Sequence, residues 1–412
     1  MKLKLHWQIA IALVLGLAFG FLSRGLHFES FVTDKVALLG TVFLRGLRMI
    51  IVPLIVSSII SGVTSIGSAQ NLGRLGLKTF VYYVTTSLLA ILTGLFLVNL
   101  IEPGVAAEVG LRATPGQLAA NAQKLGDTIL GIIPTNPLRA MVEGKMLPTI
   151  FFSLLFGFFI TQAPSPYKQQ LTDVFQGIFE VMMKLTHFII RFTPIGVFAL
   201  MSKTIAETGF DVILPLATYM ITVTAGLAVH AFVTLPVLLF FVARVNPIAH
   251  AQAMSAALLT AFSTSSSSAT LPLTMKCIEE NAGASNKVSS FVLPLGATIN
   301  MDGTALYECV AAMFIAQVYG IDLSFGQQAI VVFTALLASI GAAGIPMAGL
   351  VMITVILSAV GLPLEGVGLI LAVDRILDMM RTAVNVWSDS SGTAIIAKSE
   401  GEKELKVLWD AA

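Results

Sequence analysis

Six consecutive serine and threonine residues interrupt an apolar segment in AFSTSSSSATLPL, residues 261–273. Mostly apolar sequence flanks them, over residues 248–262 on one side and residues 269–278 on the other. Each flank is too short to cross a bilayer, since a spanning helix needs roughly 20 apolar residues. The pattern therefore predicts a re-entrant hairpin with a polar tip. The alternative is a flexible loop outside the membrane.

The composition agrees with a membrane location. Of the 412 residues, 56% are hydrophobic and only 11% are charged, whereas an ordinary soluble domain is about one-quarter charged. The net charge is +1, which gives no overall field for nucleic-acid binding. These values argue against a soluble enzyme, a nucleic-acid binder or a disordered scaffold. They predict a polytopic membrane protein in which about eight crossings use less than half of the chain.

Apolar segments before the serine run predict six spans. They lie at about residues 9–22, 36–66, 79–101, 147–162, 175–204 and 212–242. The most polar internal stretch, residues 102–136, is expected to connect two spans outside the membrane. Lysine and arginine residues collect near one set of helix ends, together with both chain termini. The positive-inside rule then predicts that both termini are cytoplasmic.

A second broken segment follows the plan of the first. Residues 328–340 form an apolar arm, residues 339–346 interrupt it, and a second arm runs to about residue 360. Irregular backbone inside a bilayer is stable only where it is buried in protein or lines a cavity. Paired broken segments of this kind predict a transporter substrate site near the midplane.

The segment between the two hairpins carries a period-two pattern. Polar side chains stand at positions 298, 300, 302 and 304 of the stretch 296–304, and one helical face cannot hold that spacing. We expect local unwinding here. Its free carbonyls and the Asp302 carboxylate are hard oxygen ligands suited to an alkali cation. The alternative is a buried aspartate whose neighbours satisfy it without an ion.

The last span carries a charged stripe. Asp374, Asp378, Arg381, Asn385 and Asp389 are spaced by four, three, four and four residues, which places them within about an 80° sector of one helix. Thr382 lies at its edge. A guanidinium matches a carboxylate bidentately, and an aspartate one turn away can hold an amine. The stripe predicts a site for a zwitterion with an extra carboxylate; the alternative is a structural Asp–Arg pair.

The third span adds a weaker signal. Hydroxyl groups of Tyr83, Thr86 and Ser87 share one helix face. Threonine and serine often bond to the carbonyls of their own helix, so the face alone does not predict a site.

Several long motifs resemble the glutamate transporter family, the sodium:dicarboxylate symporters. They are SSSSATLP (265–272), GATINMDGTALYE (296–308), ASIGAAGIPMAG (338–349) and DRILDMMRTAVNVWSD (374–389), with VYYVTTS (81–87) and PTIFFSLLFG (148–157) in the first half. The chain looks like a bacterial-type member similar to excitatory amino acid transporters. The resemblance implies an all-α polytopic fold with eight transmembrane helices, two re-entrant hairpins and inverted repeats. It also implies a homotrimer and an elevator-type movement.

The resemblance divides the chain into two units and a tail. Residues 1–70 and 103–205 would form a scaffold, and residues 71–102 and 206–400 a transport domain. The hairpins would occupy about residues 246–282 and 325–360, and residues 401–412 would form a cytoplasmic tail.

The resemblance also implies a substrate site and three sodium sites. The substrate contacts would be Ser266, Ser267, Thr304, Ile345, Gly349, Asp378, Arg381, Thr382 and Asn385. One sodium site would use Gly296, Asn300, Asn385 and Asp389. A second would use Thr298, Ser339, Ile340 and Ala342, largely through carbonyl groups. The third would use Tyr83, Thr86, Ser87, Asn300 and Asp302.

Two positions depart from family patterns. Archaeal relatives have an arginine where this chain has Ser265. Arg375 either supplies a guanidinium to that region as an auxiliary or forms a simple ion pair. Glu308 matches the glutamate that animal glutamate transporters have as proposed proton carrier. A carboxyl group in apolar surroundings can hold a proton near neutral pH, so Glu308 is the candidate proton carrier here.

The residues and the resemblance together predict sodium-coupled uptake of L-aspartate or L-glutamate through a bacterial inner membrane. A C4-dicarboxylate carrier is the alternative. An intramembrane hydrolase and a pure ion channel are weaker hypotheses, because the five histidines lie away from the expected centre in the sequence and a nucleophile without a base is poor evidence for catalysis. No cofactor is expected. Na⁺ is the expected coupling ion, and coupling to H⁺ and K⁺ stays open.

Overall fold

The computed structural model describes residues 5–67, 73–105, 133–143, 145–208, 213–341, 348–402 and 405–407. Within these ranges the chain is helical and contains no β-strand. The main helices are α1 (Leu5–Gly25), α2 (Ala37–Gly67), α3 (Gly73–Ile101), α4 (Met146–Gln162), α5 (Tyr167–Ile190), α6 (Thr193–Thr208), α7 (Ile213–Val229, extended by a π-helical turn His230–Thr234 and by Leu235–Ala243), α8 (Pro247–Thr264), α9 (Ser267–Lys276), α10 (Asn286–Ile299), α11 (Asp302–Val318), α12 (Phe325–Gly341), α13 (Ala348–Val360) and α14 (Val367–Ser399).

The helices pack in two groups. In the first group α1 packs on α6, and α2 packs on α4, α5 and α6. In the second group α11 packs on α3, α12 and α14, while α14 also contacts α7, α8 and α10. Every residue of α11 except Gln317 is buried, as expected for a helix that is apolar on all sides. The helix α11 is therefore the centre of the second group.

The predicted fifth span is wrong as a single helix. The structure divides residues 175–204 between α5, which ends at Ile190, and α6, which begins at Thr193. Pro194 is the second residue of α6. Proline has no N–H to continue a helix, but it is well tolerated in a first turn. The proline thus lies in the first turn of a second helix, and two helices stand where we expected one span.

The serine-rich interruption is real but shorter than predicted. Helix α8 continues to Thr264 and α9 begins at Ser267, so only Ser265 and Ser266 separate them. Ser265 has a positive φ of 52°. The Ser266 hydroxyl accepts a hydrogen bond from the N–H of Ala269 at 3.2 Å, which is the usual cap of a helix N-terminus. The remaining hydroxyl residues of the run are helical.

The interruption between the two hairpins is also narrower than predicted. Between α10 and α11 only Asn300 and Met301 are non-helical, so the unwinding does not extend over the whole stretch 296–304. Helix α12 continues through Ser339, whose hydroxyl donates to the Leu336 carbonyl at 2.8 Å. Residues 342–347, including the predicted contacts Ala342 and Ile345, lie outside the described residues.

The surface is rich in apolar side chains. Phe96, Phe232 and Phe241 are 67%, 79% and 75% exposed, and large exposed apolar surfaces mark contact with protein or membrane. Two described helices, Arg74–Ile101 and Leu214–Ala243, are long and apolar enough to cross a bilayer alone. Shorter apolar stretches are Val14–Gly25, Val52–Thr64, Pro148–Gln162 and Phe325–Ile340.

Candidate functional site

The charged stripe of the last span lies in the interior. Helix α14 is continuous from Val367 to Ser399. Asp374, Asp378, Arg381, Asn385 and Asp389 are each no more than 5% exposed. The prediction that this stripe faces protein or a cavity is therefore confirmed.

Arg381 uses one end of its guanidinium for protein contacts. Its Nη2 atom donates to Asp378 Oδ1 at 2.7 Å and lies 3.2 Å from Asp374 Oδ1. The Tyr307 ring lies against the guanidinium, with Cζ 3.7 Å from the ring centroid. The Tyr307 hydroxyl donates to Asp374 Oδ1 at 2.6 Å. These contacts fix the plane of the guanidinium through a cation–π contact and charge-assisted hydrogen bonds.

The remaining donors of the Arg381 guanidinium are the candidates for binding a ligand. Neither Nε nor Nη1 of Arg381 has a hydrogen-bond partner among the described residues. Gly349, at the start of α13, lies close to Nη1, and a Cβ atom at this glycine would be 2.7 Å from that nitrogen. The Nε–H and Nη1–H groups point to different sides of the guanidinium, and each can donate a charge-assisted hydrogen bond to an anion such as a carboxylate. The structure thus combines a buried cation, two donors without partners among the described residues, and a glycine whose missing side chain permits close approach to one of them.

Asp378 connects two arginines. Besides Arg381, it has Arg375 Nη1 at 3.5 Å from its Oδ2 atom. This contact favours the simple ion pair for Arg375; its role as an auxiliary to the hairpin tip stays a prediction. The Thr382 hydroxyl donates to the Asp378 carbonyl at 2.8 Å, so it is used within its own helix here.

Asn385 ties α14 to the N-terminus of α11. Its Oδ1 atom accepts a hydrogen bond from the N–H of Gly303 at 2.8 Å, and its Nδ2 atom donates to Thr304 Oγ1 at 3.2 Å. Gly303 is needed for this close approach, because a Cβ atom would lie 2.7 Å from the Arg381 carbonyl oxygen. Two predicted substrate contacts, Thr304 and Asn385, are therefore in direct contact beside Arg381.

Three predicted contacts come from the hairpins. Ser266 and Ser267 are buried at the first tip, and the Ser265 hydroxyl is buried without a hydrogen-bond partner among the described residues. On the second hairpin, Gly349 borders Arg381. Ile345 cannot be assessed because it lies outside the described residues.

A second polar centre surrounds Asp302. Its Oδ1 atom accepts hydrogen bonds from Ser87 at 2.6 Å and Thr86 at 3.3 Å. Its Oδ2 atom is 3.0 Å from His230 Nε2 and accepts from Ser388 at 2.6 Å. Two of the three hydroxyl groups that the resemblance grouped with Asp302 are therefore hydrogen-bonded to its carboxylate. The Tyr83 hydroxyl instead donates to the Val292 carbonyl at 2.7 Å.

A third polar group lies beside the second. Asn300 Nδ2 donates to Asp389 Oδ1 at 2.8 Å and to Ser388 Oγ at 3.0 Å, while Asn300 Oδ1 has no partner among the described residues. A Cβ atom on Gly296 would overlap the Asp389 carboxylate and lie 2.7 Å from the Tyr83 hydroxyl. Gly296, Asn300 and Asp389 are therefore close together, with an unpaired carbonyl and a carboxylate that suit a cation.

The predicted second sodium site is not assembled among the described residues. The Thr298 hydroxyl bonds to the Leu295 carbonyl of its own helix at 3.0 Å, and Ser339 likewise bonds within α12. Ile340 lies near the end of the described part of α12, and Ala342 lies outside the described residues. This site stays a prediction.

Glu308 is fully buried on α11, and neither carboxyl oxygen has a hydrogen-bond partner among the described residues. It is within electrostatic reach of Arg381. An unpaired carboxylate in apolar surroundings is costly unless it holds a proton. The environment is therefore one in which a neutral carboxyl group is favoured.

Sequence reasoning missed three residues of these centres. The expectation that all five histidines lie away from the centre is wrong, because His230 contacts Asp302 across 72 positions of sequence. Ser388 and Tyr307 both lie within the motifs quoted above, but neither was assigned a role. A histidine in the middle of the apolar segment 213–243 was the available signal, since polar residues inside a membrane helix are often functional.

Comparisons with known proteins agree with this geometry. The model of the sodium:dicarboxylate symporter family matches residues 5–399. The chain is 37% identical to a proton/glutamate-aspartate symporter of Escherichia coli K12, covering 98% of this chain and 95% of that protein. It is 40% identical to excitatory amino acid transporter 3 of mouse, covering 98% and 88%. It is 36% identical to a proton/sodium-glutamate symport protein of Geobacillus stearothermophilus, covering 97% and 96%.

These matches run through both groups of helices and through every motif that forms the buried centres. The family model alone covers nearly the whole chain. The chain belongs to the sodium:dicarboxylate symporter family.

Proposed function

We propose that this protein is a secondary symporter that takes up L-aspartate or L-glutamate together with cations. The observation that carries the proposal is the Arg381 guanidinium, which is buried beside the Asp378 carboxylate and whose Nε and Nη1 atoms have no partner in the part of the chain that the structure describes. The relatives that match along nearly the full chain support it, since they are named as symporters of glutamate and aspartate or as excitatory amino acid transporters. A transporter of this kind is not an enzyme and needs no cofactor.

The roles of the substrate-site residues follow from their charges. Arg381 binds the side-chain carboxylate of the amino acid. Asp378 binds the ammonium group of the amino acid, and this contact replaces part of the hydrogen bonding between Asp378 and Arg381. Ser266 and Ser267 bind the α-carboxylate, with Thr304, Thr382, Asn385 and the backbone at Ile345 and Gly349 completing the site. A C4-dicarboxylate carrier is the second candidate, because Arg381 alone could bind a carboxylate of a C4-dicarboxylate. The buried Asp378 favours an amino acid, because only an amino acid offers an ammonium group to this carboxylate.

Cations drive the uptake. Na⁺ binds where hard oxygen ligands converge: at Asp302 with Tyr83, Thr86, Ser87 and Asn300, and at Asp389 with Gly296, Asn300 and Asn385. A further Na⁺ binds the carbonyl groups near Thr298, Ser339, Ile340 and Ala342. Glu308 carries a proton. The two bacterial relatives are named as a proton-coupled symporter and a proton/sodium-coupled symporter, which supports both ions.

The movement is of the elevator type, in a homotrimer in the bacterial inner membrane with both termini cytoplasmic. Residues 1–70 and 103–205 form the scaffold and residues 71–102 and 206–400 the moving transport domain. The packing supports this division, because α1, α2, α4, α5 and α6 contact mainly one another, and α3 and α7–α14 do the same.

Uptake into proteoliposomes tests the proposal. Labelled L-aspartate is measured with an inward Na⁺ gradient, with a proton gradient, and with internal K⁺, each imposed separately. Concentrative uptake under the Na⁺ gradient supports symport, and no accumulation under that gradient would refute the leading mechanism. Competition by unlabelled succinate as strong as that by aspartate would favour the dicarboxylate carrier.

The variant Arg381→Ala tests the role of the guanidinium. It should abolish binding of acidic amino acids and spare neutral ones, because only acidic substrates need a cation for the second carboxylate. Arg139→Ala is the matched control, since Arg139 is an exposed residue that pairs with Glu143. Equal loss of acidic and neutral substrates in the Arg381 variant would indicate a structural role instead.

A further inference from the structure

Ser388 links the two acidic centres of the protein. Its hydroxyl donates to Asp302 Oδ2 at 2.6 Å and accepts from Asn300 Nδ2 at 3.0 Å. Asn300 uses the same amide group to donate to Asp389 Oδ1 at 2.8 Å. Ser388 is fully buried, so water does not compete for these bonds. One hydroxyl therefore joins Asp302 to the Asn300–Asp389 pair.

His230 holds the same oxygen of Asp302 from the opposite helix. Its Nε2 atom is 3.0 Å from Asp302 Oδ2, and both side chains are fully buried. The neutral tautomer that carries its proton on Nε2 can donate this bond. His230 lies on the π-helical turn of α7, a feature that is frequent at functional sites.

The arrangement gives the two carboxylate oxygens of Asp302 different tasks. Oδ2 is held by His230 and Ser388, whereas Oδ1 is turned toward Thr86 and Ser87 on α3. Ser388 is fixed in turn by the Tyr82 hydroxyl, which donates to its carbonyl at 3.2 Å. A carboxylate held on one oxygen presents the other to a ligand without having to reorient.

We infer that Ser388 and His230 are positioning residues that hold Asp302 for cation binding, and that Ser388 couples the Asp302 centre to the Asn300–Asp389 centre. The inference rests on the proposed function, because it requires cations at these centres. The Ser388 hydroxyl donates to the Asp302 carboxylate and accepts from the Asn300 amide, which itself donates to the Asp389 carboxylate. A shift of either carboxylate is therefore passed on to the other. Occupation of one centre therefore favours the geometry needed at the other, which is positive coupling between binding sites.

Sodium-dependent stability of the purified protein tests the inference without relying on transport. The unfolding temperature is measured in detergent, without amino acid, over a range of NaCl concentrations with choline chloride keeping the ionic strength constant. In Ser388→Ala we expect the Na⁺ concentration for half-maximal stabilisation to rise roughly tenfold, since a lost charge-assisted hydrogen bond changes an equilibrium by about that factor or more. The Hill coefficient for Na⁺ should fall toward one.

A neighbouring serine supplies the matched control. Ser390 is equally buried on α14, but its hydroxyl bonds only to the Trp387 carbonyl of its own helix at 3.0 Å. Ser390→Ala should keep the wild-type Na⁺ dependence. Ser388→Cys preserves the side-chain volume while weakening the hydrogen bonds, so it provides the measurement if the alanine variant does not fold.

The histidine is tested by restoring its donor. His230→Leu should raise the required Na⁺ concentration, and His230→Gln, which keeps an N–H donor, should recover much of the loss. Combining His230→Leu with Ser388→Ala should give less than the sum of the two effects, because both residues hold one oxygen.

The outcomes separate this inference from the proposed function. If Ser388→Ala and Ser388→Cys behave like Ser390→Ala while the wild-type protein responds to Na⁺, the inference is overturned and the proposed function stands. If the wild-type protein shows neither Na⁺-specific stabilisation nor Na⁺-driven uptake, the proposed function itself is overturned.

Discussion

Replacing Gly349 with alanine should weaken substrate binding by a predictable amount. A Cβ atom at this position would lie 2.7 Å from Arg381 Nη1, 3.3 Å from its Cζ atom and 3.4 Å from Thr304 Cγ2. Non-bonded contacts of carbon are normally about 3.5–4.0 Å. The guanidinium must therefore retreat by about 1 Å, or the start of α13 must move away.

Either adjustment removes the donor that we assign to the substrate carboxylate. Loss of a hydrogen bond to a charged group costs about 1.5–3 kcal/mol, which corresponds to a roughly 10- to 150-fold rise in Kd. The Kd for L-aspartate is measured at saturating Na⁺ by isothermal titration calorimetry or by the substrate-dependent shift in unfolding temperature. Sodium binding without amino acid should change little, because Gly349 has no contact with Asp302 or Asp389 among those described.

The control is Gly76→Ala on α3, where the nearest atom to the added Cβ, on Phe291, is 3.7 Å away. This variant adds the same methyl group to a helix without an overlap, and it should bind aspartate like the wild type. A folded Gly349→Ala protein whose Kd is within about twofold of the control would refute the assignment of Nη1 to the carboxylate, since that change is only about 0.4 kcal/mol.

Three further predictions concern other parts of the chain. Glu308→Gln should make uptake insensitive to external pH between about 6 and 8 if Glu308 carries the proton; an unchanged pH profile would contradict this role. Tyr307→Phe keeps the ring against Arg381 but removes the 2.6 Å bond to the neighbouring carboxylate, so it should weaken aspartate binding about tenfold, whereas Tyr307→Leu should weaken it more. Hydrogen bonds from Arg74 and Lys78 lower the pKa of Glu400 to about 2. The stabilisation from these bonds is present above the ordinary carboxyl pKa and is lost as pH falls from about 4.5 toward 2. Glu400→Gln should therefore lower the unfolding temperature slightly at pH 7 and not at pH 2.

Helical periodicity was sufficient for the substrate half of the site. The spacing of Asp378, Arg381 and Asn385 required only that the last segment be one helix, and α14 is continuous over all three. Because charge inside an apolar chain is costly, their burial followed from the same pattern. Local sequence was enough here since the stripe belongs to one regular element.

The positions of the helix interruptions could be predicted from the sequence, but their lengths could not. Runs of serine, glycine and asparagine marked the breaks. Within the described stretches 263–268 and 296–304, however, only Ser265–Ser266 and Asn300–Met301 are non-helical. Helix termini are stabilised by individual caps and by packing against neighbouring helices, and propensity gives only a weak prior for such effects. The predictions were therefore too wide by several residues in both cases.

Contacts between distant segments could not be predicted in this way. The bond between His230 and Asp302 joins α7 to α11, and Ser388 reaches Asp302 from α14. Nothing in the periodicity of one helix specifies which side chain of another helix it meets. A buried polar residue signals only that a partner exists, so these two residues became recognisable once the helices were seen together.

The N-terminus of α11 is where the proposed cation centres and the proposed substrate site meet. Asp302 bonds to α3, α7 and α14, while the next two residues, Gly303 and Thr304, bond to Asn385 beside Arg381. Since Asp302, Gly303 and Thr304 are consecutive residues of one helical turn, they cannot move independently. A cation that draws Asp302 toward its ligands must also shift the N–H and hydroxyl groups that hold Asn385. In the proposed mechanism, coupling between ion and substrate binding therefore requires no long pathway, because a single turn of helix carries proposed ligands for both.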